Sequence, residues 1–261
     1  MKNLLRSDFY RLFRSKSFYI CTAISMLLMA LNILLVEWAS NLAGEEGVVI
    51  SENPIFKDGI TYGLTAFANG NLEIILGIII AIFVSAEFSH GTMKNVVSKG
   101  FSKINIYLSK LITMVSTTLI MIIATFLTGF ICATILSGSM GDFSGDNLAI
   151  IFKTIGIEIL LNTALVAILV LVPMVIRNIG GAIAINIFGV MTVAPLLFNI
   201  LQLIARDKIK FTDYSLLNNI AFYFSNTAKG SDYLRSVIVG LVFLVGATAL
   251  GIFAFKKSDV K

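Results

Sequence analysis

The chain has 261 residues, 57% hydrophobic and only 13% charged, with a mean hydropathy of +0.91 and a net charge of +5. Soluble domains run nearer half apolar and a quarter charged, so composition excludes a water-soluble globular protein and predicts an all-α integral membrane protein. A single transmembrane domain over 1–261 has room for about six crossings of ~20 residues each. The basic residues gather at the ends of apolar runs, as orientation signals do, which argues against nucleic-acid binding.

In chain order, residues 1–17 place Leu4, Leu5, Phe9, Leu12 and Phe13 on one helical face and Arg6, Arg11, Arg14 and Lys16 largely on the other, the pattern of an elbow helix lying on an anionic leaflet. The first span, 18–38, has Asn32 as its strongly polar interior residue and Trp38 as an interfacial anchor. It is too long for a signal-peptide core and lacks an A-x-A cleavage pattern, so it is expected to be retained. Then Glu37, Glu45, Glu46, Glu52 and Asp58 face only Lys57, and Gly44, Gly47, Pro54 and Gly59 break any period, which predicts an exposed outer loop. The second and third spans cover 71–88 and 104–136, and a turn-rich stretch from Ser137 to Asp146 follows. The fourth, 148–176, carries Glu158 and Asn162 one turn apart and ends near Pro173, where a bend is predicted. Arg177 and Asn178 make a short turn into the fifth span, 179–204, which opens on Gly180 and Gly181, carries Asn186 and holds Pro195 as a hinge or a static kink. An outer loop over 206–232 contains a semi-apolar insert, Tyr214 to Phe224, read as an interfacial or re-entrant helix placed to cap the fifth span. The last span, 233–255, ends at Lys256 and Lys257. Loop charges put both termini in the cytoplasm, although Arg206, Lys208, Lys210, Lys229 and Arg235 then lie outside, diluted by Asp207, Asp213 and Asp232.

The segment between the second and third spans, EFSHGTMKNVVSKGFSKINIYLSK from Glu87 to Lys110, interrupts this background. Over 89–100, Met93, Val96 and Val97 fall on one helical face at i, i+3 and i+4, with Lys94, Asn95 and Ser98 opposite. Gly100 stands where a helix-terminating glycine belongs, and Ser102 is placed to cap the next helix, which leads through Lys103, Tyr107 and Lys110. Two physical readings stand: a short helix whose apolar knob docks on another protein, and an amphipathic loop at the lipid surface.

Glu87-Phe88, Gly91-Thr92-Met93-Lys94, Gly100-Phe101-Ser102-Lys103, Tyr107 and Lys110 resemble the loop after the second span in permease subunits of type-2 ABC exporters. The resemblance extends over essentially the whole chain, and is similar to small permeases for bacitracin resistance, lantibiotic self-protection, sodium extrusion and export of peptide toxins. It implies a bacterial cell-membrane, multi-pass permease with a short cytoplasmic coupling helix at 89–100. Glu87, Gly91, Thr92, Met93, Lys94, Val96, Val97, Gly100 and Lys103 would then engage an ABC ATPase present in two copies. It further implies a second copy of the permease, a homodimer, meeting along the first and fifth spans, with Asn32, Asn186 and Pro195 at the interface or pathway. The cargo would be an amphipathic peptide or hydrophobic substrate, and ATP and Mg would belong to the partner ATPase.

The residues add their own exclusions. His90 is the sole histidine and no G-x-x-x-x-G-K-[ST] loop is present, so neither a histidine-dependent active site nor nucleotide-driven pumping is expected of this chain, and no cofactor or metal. His90 reads as a solvated or interface side chain, with pH sensing as the alternative. Cys21 and Cys132 lie in apolar runs and read as small hydrophobes rather than a disulfide or metal pair. Glu158 is the expensive residue: an ionised carboxylate near a helix centre costs roughly 2.5 to 3.5 kcal/mol on insertion scales. Asn162 is its predicted hydrogen-bond partner and Lys153 its predicted ion partner, in either a packing or a pathway role. The alternative function is an ion-gradient-driven secondary transporter or channel, which calls for paired intramembrane charges where this sequence offers essentially Glu158 alone.

Overall fold

The computed structural model describes residues 1–43, 58–141, 143–205, 210–222 and 230–257. The acidic and glycine positions from Gly44 to Lys57, together with Asp142, Arg206, Asp207, Lys208, Phe224, Lys229 and Lys261, lie outside the described residues. Among those described, six helices are long and apolar enough to cross a membrane, the architecture of an all-α, multi-pass membrane protein.

Helix α1, Lys2–Arg14, ends with Arg11 and Arg14 in its last turn, where cations favour the helix dipole. Its buried stripe is Leu4, Asp8 and Leu12, at strict i, i+4 spacing, while Phe13 faces out. The apolar face predicted from sequence is therefore corrected: an aspartate lies within the buried stripe. Ser15 breaks the helix, and its Oγ accepts from the Phe18 N–H (3.2 Å) to start α2, Lys16–Ala43. Helix α3, Gly59–Leu64, is capped by Asp58, whose Oδ1 accepts from the Thr61 N–H at 2.8 Å. It presses so closely on the third span that a Cβ at Gly59 would stand 2.0 Å from Thr134 Oγ1. A 3-10 turn, Thr65–Ala68, leads into α4, Gly70–Ser89. After the short α5, Thr92–Ser98, come α6, Lys103–Ser137, and α7, Gly145–Ile176.

Helices α4 and α7 are the centre of the bundle. Leu72, Leu76, Ile80 and Val84 of α4 and Leu161, Leu165 and Leu169 of α7 share one core cluster with Met114 and Met121 of α6. Hydroxyls on α6 stay within it: Thr113, Thr117, Thr118 and Thr125 each donate to the carbonyl four residues back, 2.8 to 3.0 Å away. That is how a polar sequence run is tolerated in an apolar core.

The fifth span has three pieces: α8, Ile179–Ala184; a π-helical stretch, Ile185–Val193; and α9, Ala194–Ile204. The Ala194 N–H donates to the Gly189 carbonyl, five residues back, immediately before Pro195, which has no N–H to give. Widening the turn there absorbs the proline without ending the span. The Asn186 Nδ2 donates to the carbonyls of Gly77 (3.0 Å) and Leu169 (3.3 Å), tying the wide stretch to α4 and α7.

Helix α10, Leu216–Phe222, follows a 3-10 turn, Phe211–Tyr214. It packs on α7 and on the last span, α11, Gly230–Lys257, and is pinned there by Ser236 Oγ donating to Asn219 Oδ1 (2.6 Å). Of the insert expected to cap the fifth span, α10 turns to α7 and α11 instead, Tyr214 belongs to the 3-10 turn that packs against α9, and residues 223–224 lie outside the described residues. The reason is polar: Asn219 finds its partner on α11.

Candidate functional site

One end of the bundle gathers α1, α5, the start of α6 and the end of α11, where Lys103 Nζ donates to the Lys256 carbonyl at 3.0 Å. This basic end contains the segment from Glu87 to Lys110. Helix α4 stops because Gly91 adopts a left-handed φ of 67° and turns its N–H to the Phe88 carbonyl (3.1 Å). Thr92 Oγ1 donates to the Glu87 carbonyl at 3.2 Å and helps close that turn. Helix α5 ends in the same way, with Gly100 at a φ of 81° and its N–H on the Val97 carbonyl (3.0 Å). Ser102 Oγ then accepts from the Asn105 N–H at 3.2 Å, capping α6.

The apolar face of α5 does not point outward. Met93 is 1% exposed within the main core cluster, and Val96 and Val97 are half-buried against it. This corrects the expectation of an exposed apolar knob. A seven-residue helix is not stable alone, and burying such side chains stabilises by roughly 1.5 to 3 kcal/mol each, so the helix spends its apolar face on its own bundle. What it presents outward is Thr92, Lys94, Asn95 and Ser98, with Lys99 and Gly100 beyond.

At the same end, where α4 runs into α5, an ion cluster joins three elements. Lys110 of α6, 4% exposed, pairs with Asp8 of α1 and, at 2.5 Å, with Glu87 Oε1 of α4. Arg11 of α1 pairs with the same Glu87 oxygen, donates to the Phe83 carbonyl (3.1 Å) and lays its guanidinium 3.9 Å from the Phe83 ring centroid. Ser109 Oγ donates to Asp8 Oδ2 at 2.6 Å. Two carboxylates and two cations cancel, which is what lets Asp8, Glu87 and Lys110 be buried while Arg11 stays partly exposed.

Glu87, read from sequence as part of the outward-facing segment, is therefore buried at the end of α4, and Arg11, read as a headgroup ligand, turns inward. Asp8 and the inward role of Lys110 were not anticipated. The available signal was a charge set on an apolar stripe: Asp8 between Leu4 and Leu12, and Lys110 followed directly by an apolar run. Such a charge demands a partner, though not which one.

The residues assigned to a contact between copies separate. Asn32 is on the exposed side of α2, its Oδ1 accepting from the Tyr62 hydroxyl (2.6 Å), and Pro195 is half-buried. Asn186 is fully buried inside the subunit and has no face to offer a second copy. Asn162 Nδ2 donates to the Glu158 backbone carbonyl (3.0 Å) and to the Phe67 carbonyl (3.1 Å), not to the Glu158 carboxylate. Lys153 is not the ion partner of Glu158 either; its ammonium stands 3.8 Å from the Tyr233 ring centroid. Glu73, in the first turn of α4, is a second carboxyl within a membrane-spanning helix, and it is half-buried.

Residues 4–194 match a family model described as ABC-2 family transporter protein. The matched stretch runs from α1 into the first residue of α9 and contains the whole ion cluster and α5. No curated protein matches the chain.

Proposed function

Because the chain belongs to the ABC-2 family of transporter proteins, we propose that it is the permease of an exporter whose ATP hydrolysis takes place on two separate ATPase subunits, each received on the outer face of one α5. The observation that carries this reading is the way α5 is fastened. Its apolar face is buried, its ends are set by two left-handed glycines, and the ion cluster at the end of α4 joins α1, α4 and α6. A force applied to Lys94, Asn95, Ser98 and Lys99 is delivered to three elements together, because displacing one alone breaks a buried charge pair. Coupling then works through a rigid polar platform rather than an apolar knob.

The basic end carries Lys2, Arg6, Arg14, Lys94, Lys99, Lys256 and Lys257, and this reading places it in the cytoplasm of a bacterial cell membrane. A homodimer is supported by the exposed apolar sides of α2 and the fifth span: Leu27, Leu31 and Leu34 on one, Phe188, Leu197 and Ile200 on the other. A wall of that kind suits an amphipathic peptide or hydrophobic drug as cargo.

The test is Lys94→Glu with Lys99→Glu, in vesicles containing the permease and its ATPase. Retained folding with loss of ATPase association and transport is the expected outcome; unchanged association and transport would remove α5 as the contact.

A further inference from the structure

We propose that Glu73 receives the cationic group of an amphipathic cargo, at the place inside the membrane where α4 and the fifth span part. The proposal rests on the exporter reading only in calling the ligand a cargo. Two helices give the depth of this residue. Glu73 precedes Glu87 by 14 residues of α4, about 21 Å at ~1.5 Å per residue. Lys110, which pairs with Glu87, precedes Thr134 by 24 residues of α6, about 36 Å, and Thr134 is where α3 packs at the other end of the bundle. Glu73 therefore lies about 21 Å from the ion cluster and roughly 15 Å short of that other end, within a hydrocarbon layer of about 30 Å. Helical period sets its direction. One turn along α4 is Gly77, whose carbonyl accepts from Asn186 Nδ2 and where an added Cβ would stand 3.4 Å from the Asn186 Cβ. Glu73, four residues before Gly77, is on the same face and turns towards the fifth span.

The fifth span leaves the bundle just there. Asn186 ties the π-helical stretch to α4 and α7, but α9 beyond it buries none of its side chains and has its main contacts with that stretch and with Phe211–Tyr214. Glu73 is half-buried, and among the described residues no hydrogen bond or ion pair reaches its carboxylate. The cations nearest the spans' interior are engaged elsewhere: Lys110 with Asp8 and Glu87, Arg235 with Asp213 and Asp232, and Lys153 against the Tyr233 ring. A carboxylate open at that depth is costly against lipid tails, and residues of this kind face a watery cavity or a partner of opposite charge. The side chains left uncovered around it are apolar: Ile74 beside it, and Val193 and Leu197 on the fifth span. One carboxylate among apolar side chains suits an organic cation carried on an apolar body. A hard metal ion wants several oxygen ligands, and among the described residues no group of metal-ligating side chains gathers.

The experiment is equilibrium dialysis of tetraphenylphosphonium, a permanent amphipathic cation, against the full chain in lipid nanodiscs, with binding to empty nanodiscs subtracted. It needs neither the ATPase nor transport, so failure of the α5 contact leaves it intact. Wild type is expected to bind saturably, and Glu73→Gln, which removes the charge at nearly constant shape, to bind roughly tenfold more weakly or worse. Tetraphenylborate, alike in shape and opposite in charge, should show no saturable site in wild type. No saturable tetraphenylphosphonium binding in wild type, equal binding in Glu73→Gln, or equal saturable binding of the borate overturns the proposal. Disulfide formation between copies at Glu73→Cys overturns it as well, by giving this face to the second copy. If Glu73→Gln does not insert, wild type decides: tetraphenylphosphonium should protect Glu73 from carbodiimide coupling, read by mass spectrometry, and absence of protection refutes the assignment.

Discussion

Replacing Lys110 by Met is the sharpest perturbation of the ion cluster. The substitution keeps an unbranched side chain one atom shorter and removes one charge. Asp8 is left with only Ser109, and Glu87 with only Arg11, although both carboxylates remain buried at 5% and 6% exposure. Hydrogen bonds to charged groups are worth about 1.5 to 3 kcal/mol each, and two are lost. Breaking a buried pair by removing one member costs about 3 to 5 kcal/mol. The two routes agree, and at ~2 to 4 °C per kcal/mol the denaturation midpoint should fall by roughly 6 to 20 °C. The triple variant Asp8→Asn, Glu87→Gln, Lys110→Met leaves no buried carboxylate unpaired; its one remaining charge, Arg11, is 35% exposed and keeps its bond to the Phe83 carbonyl, so most of that stability should return. Both are measured by thermal denaturation in nanodiscs at one scan rate. Coupling is read separately, as substrate-stimulated ATPase activity of the reconstituted complex, and should stay low in the triple variant, whose elements are no longer bound by charge. A midpoint within about 2 °C of wild type for Lys110→Met, or a triple variant as damaged as the single one, would refute the reasoning.

Met93→Asp should destabilise the fold by about 3 kcal/mol or more, since it buries a carboxylate in the core; a well-folded variant that merely fails to bind the ATPase would restore the apolar-knob view. Tyr107→Phe should be neutral or stabilising by about 1 kcal/mol, because the Tyr107 hydroxyl is buried without a partner, and a clear drop in melting midpoint contradicts that. Gly251→Ala should be damaging, its Cβ falling 2.2 Å from Tyr107 Oη; pairing it with Tyr107→Phe should recover only part of the loss, as ring atoms stand within 2.5 Å too. Cysteine at Leu31 or Phe188 should crosslink between copies in membranes while cysteine at Asn186 does not, and the reverse pattern would end the proposed dimer.

Much of this protein is local in origin and can be read along the chain. Six apolar runs of spanning length become six helices because an unpaired backbone cannot be left in lipid. Gly91, Gly100 and Ser102 mark their boundaries because left-handed turns and N-caps are properties of a few adjacent residues. Direction is another matter. A span that is apolar all round has no period to say which side meets protein and which meets lipid or a second copy, so Asn186 facing inward could not be told from Asn186 facing out. For Met93, Val96 and Val97 the period was visible but not the surface that covers them. Partners distant in sequence are likewise a product of packing: Asp8 meets Lys110 across 102 positions, and Asn186 meets Gly77 across 109. The sequence by itself determined a bundle of six spans with a short basic helix between the second and third; only the tertiary structure decided that this helix buries its apolar face in its own bundle and that Asp8, Arg11, Glu87 and Lys110 meet, because a charge in an apolar run states a need for a partner without naming it.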